Sequence, residues 1–398
     1  MLTSLAKYRK RALTAGLNTL RFLLVSLSQF ILAKIVTDEK DLGIWGEVVH
    51  ILIYVQMAAM VIAWGNREYT LREMGRAPAN ARGIWASALT SRFPLLLLAC
   101  ILLIFLLPPG AGLPALIWTA SLFVLHSFES IILFKERVRL FGYIEIAISS
   151  LFIATAWFFK SSWITSINVL WLLALVNVVR ALVHLVVFNS FWSRAQYRIS
   201  AHYLKSAIPF LLLALSGALF SKIDLYVADH FLTSDDLGKY QLFISSFILM
   251  QAISRFLLMP WEKHLYRFES KQILSFCLKY ALFGIPIVLL ATISIYWLLE
   301  NLYALHISPD IYTLGGLFAW TMFISLPLIH YFYGQKRERN VLYVNVSGLT
   351  LNFILSIFLV SRMGFKGLIL ASTLSQVLVS AIYLQLIING KRTPQHTL

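Results

Sequence analysis

The 398 residues carry a net charge of +16, yet only 13% are charged and 59% are hydrophobic. Soluble domains run about 25% charged and 45–50% apolar. No water-soluble fold of this size hides so much apolar surface, so the expected solvent is lipid.

A spanning helix needs about 20 mostly apolar residues. Twelve such segments are expected in chain order, near 12–36, 42–65, 84–107, 114–134, 143–159, 167–191, 206–232, 238–262, 273–298, 308–333, 340–361 and 365–389. The stretch after Arg21 is too long for a leader core and lacks a small-residue cleavage site, so it reads as a permanent first helix. A barrel would show segments of about 10 residues with alternating polarity. Cys100 and Cys277 lie in apolar helix sequence and support neither a disulfide framework nor a metal site. Trp45, Trp64, Trp163, Trp192 and Trp261 fall near segment ends, as an interfacial belt would.

The basic residues alternate loop by loop. With the N-terminus in the cytoplasm, 22 of the 34 Lys and Arg residues fall in inner loops and ends, 5 fall outside and 7 lie inside helices. This is the positive-inside pattern of a bacterial inner-membrane protein with both termini cytoplasmic. The charge is thereby explained without nucleic acid.

Two halves are also legible. Asp41-Leu42-Gly43-Ile44-Trp45 is echoed 195 residues later by Asp236-Leu237-Gly238-Lys239-Tyr240. Both open an even-numbered segment behind a short polar stretch, where Thr, Ser or Asp caps the helix and acids complement its dipole. Tyr143-Ile144-Glu145 is echoed more weakly by Tyr343-Val344-Asn345. Six helices per half, at 1–195 and 196–398, insert with the same orientation, and a substrate is expected between them near the midplane. The expected fold is therefore an all-α polytopic membrane protein of about twelve transmembrane helices, in two parallel six-helix halves around a central cavity.

The run Ser221-Lys222-Ile223-Asp224-Leu225-Tyr226-Val227, followed by Asp236 to Tyr240, resembles the seventh and eighth helices of the Wzx-like polysaccharide flippases. These belong to the multidrug/oligosaccharidyl-lipid/polysaccharide (MOP) exporter superfamily, which also contains the multidrug MATE transporters. Tyr343, Asn345, Asn352, Gly364, Gly367 and Ser372 resemble the family's last helical hairpin. Phe365-Lys366-Gly367-Leu368-Ile369 departs from the small residues usual there. The resemblance covers nearly the whole chain. It implies translocation of an undecaprenyl-diphosphate-linked oligosaccharide, such as an O-antigen repeat unit, from the cytoplasmic to the periplasmic leaflet by alternating access. It also implies a polysaccharide polymerase and chain-length machinery as partners.

A diphosphate crossing hydrocarbon needs cationic partners. The seven cations inside segments are Arg21, Lys34, Arg92, Arg180, Lys222, Arg255 and Lys279. Lys34, Arg92 and Lys279 lie near segment ends, where a long side chain snorkels to the interface. Arg21, Arg180, Lys222 and Arg255 are the expected diphosphate contacts, with interhelical ion pairing as the plainer account. Asp224, Asp229 and Glu145 are the candidates for coupling to protons or sodium. His50, His126, His184 and His330 read as packing residues. Pro209, Gly217, Pro260, Gly284, Pro286 and Pro327 offer flexing points.

Three other functions compete. An ATP-driven pump lacks its phosphate loop and any room for a nucleotide domain. A polytopic glycan polymerase or glycosyltransferase needs a sizeable outer loop, and the outer loops span roughly 5–10 residues on these boundaries. A multidrug exporter of the same superfamily fits the fold, but deep Arg and Lys suit organic cations poorly. No catalytic residue, cofactor or metal is expected.

Overall fold

The computed structural model describes residues 24, 26–38, 41–158, 163–193 and 197–390. Among these, ten helices are long and apolar enough to cross a membrane. The last of them, Glu338–Gly390, is two spans joined at Gly364, whose backbone leaves the helix with φ 55° and ψ −134°. Residues 26–38 are helical and overlap the first expected segment. Contacts divide the chain into two compact units, Met1–Leu215 and Ser216–Leu398.

The first unit contains α1 (26–38), α2 (Leu42–Ala63), α3 (Asn66–Arg76), α4 (Ala81–Leu106), α5 (Gly112–Phe134), α6 (Val138–Phe158), α7 (Ser166–Val187) and most of α8 (Ala201–Phe220). α5 is central and packs against α2, α3, α4 and α7. Lipid offers helices no hydrophobic reward for associating, so close packing and small residues decide the contacts. Ser121, Ser127 and Ser130 of α5 are buried, and around them pack Trp85, Phe128, Phe141, Phe188 and Phe191. The Phe188 ring stacks 5.5 Å from both Phe128 and Phe141. α4 turns Phe93, Leu97, Leu98, Ile101, Ile104 and Phe105 outward, a stripe that only lipid accommodates.

α2 ends at Ala63, close to the expected boundary, but the chain continues into a further helix and not a loop. Trp64 and Gly65 both take left-handed backbone, with φ 46° and 63°, and redirect the chain into α3. A β-carbon on Gly65 would stand 2.6 Å from the backbone nitrogen of Leu211. Only glycine permits both the torsion and the approach of α8. The Trp64 indole donates to the Leu204 carbonyl at 3.1 Å. Asn66 donates to the His126 carbonyl at 3.0 Å and accepts from Thr70 and Tyr203 at 2.8 and 3.3 Å.

Arg92 corrects the snorkelling expectation, because it is fully buried. It donates to the carbonyls of Ala88 and Ile62 at 3.0 and 3.1 Å and to Ser127 at 2.7 Å, and it lies 5.1 Å from the Phe123 ring centre. Ile62 sits in the last turn of α2, where carbonyls lack helical partners. Arg92 supplies the missing donor. Trp45 is likewise 1% exposed, a core residue and not part of a belt.

The second unit contains the end of α8, then α9 (Ile223–Phe231), α10 (Ser234–Leu258), α11 (Ser270–Trp297), α12 (Pro309–Trp320), α13 (Met322–Gly334) and α14 (Glu338–Gly390). α14 packs against α9, α12 and α13. The seventh expected segment is broken, not continuous. Lys222, with φ −137° and ψ 0°, stands at the start of α9. The Asp-Leu-Gly turns differ in detail. Asp41 caps α2 itself through Gly43 N, whereas Thr233 caps α10 by accepting from Asp236 N at 3.3 Å.

A second pair of matched turns is sharper. Arg137 N donates to Ile132 O at 2.9 Å and Glu136 N to Leu133 O at 3.1 Å. Two hundred residues later Arg337 N donates to Phe332 O and Lys336 N to Tyr333 O at the same two distances. Glu136 and Lys336 both adopt left-handed backbone, φ 52° and 55°. These are two copies of one Schellman helix stop.

Candidate substrate and coupling sites

In the first unit, α6 and α7 carry a buried ion pair. Arg180 Nη2 lies 2.5 Å from Glu145 Oε1. Ser149, one turn from Glu145, donates to the same carboxylate oxygen at 3.2 Å. Arg180 also reaches Asn177 Oδ1 at 3.4 Å through Nη1, and Ser149 Oγ at 3.5 Å through Nη2. Its Nε is buried, with no hydrogen-bond acceptor among the described residues. His184 holds the next turn of α7 through a 2.6 Å contact between Nδ1 and the Arg180 carbonyl, with its ring 4.4 Å from that of Phe141. Glu145 and Arg180, expected in separate roles, are thus direct partners.

In the second unit, Asp224 lies in the first turn of α9 and is 2% exposed. It accepts from the Tyr240 hydroxyl of α10 and from Ser372 Oγ of α14 at 2.9 Å. Ser372 also reaches Asn352 Oδ1 at 3.5 Å, and Ser356 donates to that atom at 3.1 Å. Two helix segments thereby meet the carboxylate directly through hydroxyls, and the first span of α14 joins the network through Ser372. Lys222 adjoins this cluster at the helix break, where its backbone carbonyl accepts from Leu225 and Tyr226. Asp229 lies farther along α9 and is half-buried.

Arg255 occupies the last turn of α10 and is exposed on this chain. Counting from the turn at Thr233, Lys222 is 11 residues away and Arg255 is 22. At 1.5 Å per residue the two differ in depth by about 16 Å. Arg21 lies outside the described residues. Lys34 pairs with Asp38 one turn on, and Lys279 is exposed on α11. Among the described residues no group of three or more His, Cys, Asp or Glu side chains is arranged to hold a metal.

The residues that sequence reading passed over are neutral: Ser149, Asn177, Ser356, Asn66 and Thr70. A usable signal existed in their spacing. Glu145 and Ser149, and Asn352 and Ser356, are each four apart in apolar helices, which stacks them on one face; Asn66 and Thr70 share that spacing but lie in the charged α3.

No sequence-family model matches the chain, and no curated protein sequence matches it significantly. Solved structures do. An inward-facing multidrug resistance MATE transporter of the MOP superfamily superposes with a TM-score of 0.65 at 12% identity, over 94% of this chain and 99% of that one. A Vibrio cholerae MATE transporter gives 0.59 at 13%, over 99% of both. A MOP superfamily transporter from Pyrococcus furiosus gives 0.54 at 13%, over 96% and 95%. The chain has the fold of the MOP superfamily transporters.

Proposed function

We propose that this chain is a flippase that moves an undecaprenyl-diphosphate-linked oligosaccharide from the cytoplasmic to the periplasmic leaflet by alternating access. The observation that carries this reading is cationic chemistry inside the spans: Arg180 buried in α7 and Lys222 at the break before α9. A diphosphate needs such donors, and Arg offers it two parallel N–H groups. Arg255 and Arg21 complete the proposed set. The chain acts in the bacterial inner membrane with both termini cytoplasmic, and passes its glycan to a polymerase and chain-length machinery.

Asp224 is the proposed coupling residue. The Tyr240 and Ser372 hydroxyls that meet it, with the Asn352 and Ser356 oxygens behind Ser372, suit a proton or a hard monovalent cation such as sodium. Asp229 and Glu145 are secondary candidates.

Multidrug export is the second reading, favoured by the similarity to multidrug MATE proteins. The Pyrococcus furiosus neighbour is described by a binding pocket of reverse polarity that suggests a different function, so this fold accommodates more than one pocket chemistry. The test replaces Lys222 and Arg255 with Ala in cells that depend on this protein. Loss of surface glycan at normal protein abundance is expected. Normal surface glycan at normal abundance sinks the flippase reading.

A further inference from the structure

The Glu145–Arg180 pair leaves one edge of the guanidinium half used. Nε and Nη2 lie side by side and together form the edge that takes two oxygens of a carboxylate or phosphate. Glu145 reaches Nη2 at 2.5 Å through Oε1. Nε is buried with no acceptor among the described residues and carries the desolvation cost of an unmade hydrogen bond. The remaining contacts, to Asn177 and Ser149, are long at 3.4 and 3.5 Å.

Stability is a poor explanation for such a pair, because a buried ion pair rarely outperforms an apolar replacement. The second unit supplies an internal comparison. At the position 200 residues after Glu145, Asn345 accepts from the Tyr383 hydroxyl at 3.4 Å. The two spans of α14 are therefore joined there by a neutral bond, so this packing position does not require charge.

We propose that Glu145 is a releasable counter-ion for Arg180. It neutralises the guanidinium while the site is free of substrate. It yields Nη2 when a pair of phosphate oxygens takes Nε and Nη2 together. Ser149 retains the carboxylate by its hydrogen bond as the guanidinium changes partner. Glu145 is thus a positioning residue that sets the affinity for the diphosphate, and the inference rests on the flippase reading.

The test measures binding of farnesyl diphosphate, with farnesol as the control, to the purified full-length protein in detergent. Wild type, Glu145→Gln and Arg180→Gln are compared, with thermal midpoints recorded for each. Glu145→Gln is expected to bind roughly tenfold more tightly, the scale of one coupling free energy between competing ligands. Arg180→Gln is expected to lose binding. A purely structural pair would lose affinity and stability together in Glu145→Gln. Unchanged or weaker binding there, with wild-type binding still dependent on Arg180, overturns the counter-ion role and leaves the flippase reading standing. Absence of diphosphate-dependent binding in wild type overturns both. Should Glu145→Gln not fold, Glu145→Asp withdraws the carboxylate by one methylene and is expected to tighten binding in the same direction. No tightening overturns the proposal.

Discussion

Asp224 and Ser372 are joined by a 2.9 Å hydrogen bond that spans 148 residues of sequence, and it fixes α9 to the second half of α14. Tyr240 approaches the same carboxylate from α10. A carboxylate held by two hydroxyl donors keeps its place whether charged or neutral, since hydroxyls rotate to suit either state. The coupling role proposed for Asp224 therefore has a measurable consequence.

Asp224→Asn preserves the shape and one acceptor oxygen while removing the charge. The variant is expected to fold with a thermal midpoint close to wild type and to lose dependence on an imposed proton or sodium gradient. Transport in membrane vesicles, with and without collapse of each gradient, checks this. A retained gradient response in Asp224→Asn excludes it as the coupling residue.

Arg92 has no acid partner among its hydrogen bonds, so its role is mechanical. Arg92→Leu removes the donors to Ile62 O and Ser127 Oγ inside a packed site. The expected cost is about 2–4 kcal/mol from unpaired buried groups and lost packing. Fluorescence-detected size-exclusion after graded heating reads it. A melting point equal to wild type would show that another donor reaches those acceptors.

Two glycines of the same region should respond in opposite directions. Gly65→Ala places a β-carbon against Leu211 N at φ 63° and is expected to abolish accumulation of folded protein. At Gly75, inside α3, an added β-carbon meets nothing within 4 Å. Gly75→Ala is expected to stabilise by about 0.5–1 kcal/mol, the ordinary helix preference. Comparing the yields and melting points of the two variants checks the elbow.

Glu136 and Lys336 pay a left-handed backbone cost of about 1–2 kcal/mol that glycine avoids. Glu136→Gly and Lys336→Gly are each expected to raise the melting point slightly, with additive effects in the double variant. A fall in either would mean that the side chain contributes more than its torsion costs.

Topology is checked by cysteine labelling in a Cys100→Ala, Cys277→Ala background. Arg137→Cys is expected to react with a membrane-impermeant maleimide only in inverted vesicles, and Arg362→Cys only in intact spheroplasts. The reverse result would invert the assigned orientation.

The apolar spans were legible because length and hydropathy are local properties, and no tertiary contact is needed to make a 20-residue apolar run helical in lipid. The inner loops were less so. α3 reads as a loop by charge, with Arg67, Glu68, Arg72, Glu73 and Arg76 among its 11 residues. Its helix is specified instead by buried contacts of Asn66, Tyr69, Thr70 and Met74. That error propagated to Arg92. α4 begins at Ala81 and not near residue 84, so Arg92 lies about a turn deeper than its apparent distance from the segment end. The break at Lys222 was illegible for another reason. Neither Pro nor Gly marks it, and the torsions that make it are set by packing. Glu145 and Arg180 were each visible as charges in apolar helices, but their partnership depends on how α6 and α7 lie together.

The boundary inside α8 does not coincide with the end of the sequence echo. The matched helix stops and turns set a repeat of 195 to 200 residues, so the second copy opens near residue 200, yet the first compact unit extends to Leu215. Tyr203, Leu204 and Leu211 close the α2–α3 elbow from beyond the end of the first copy. The stretch that is echoed and the stretch that packs as one body are therefore different lengths of chain. A first half cut at residue 195 would lack the Leu211 backbone that Gly65 packs against, so a separately expressed first unit has to run through Leu215.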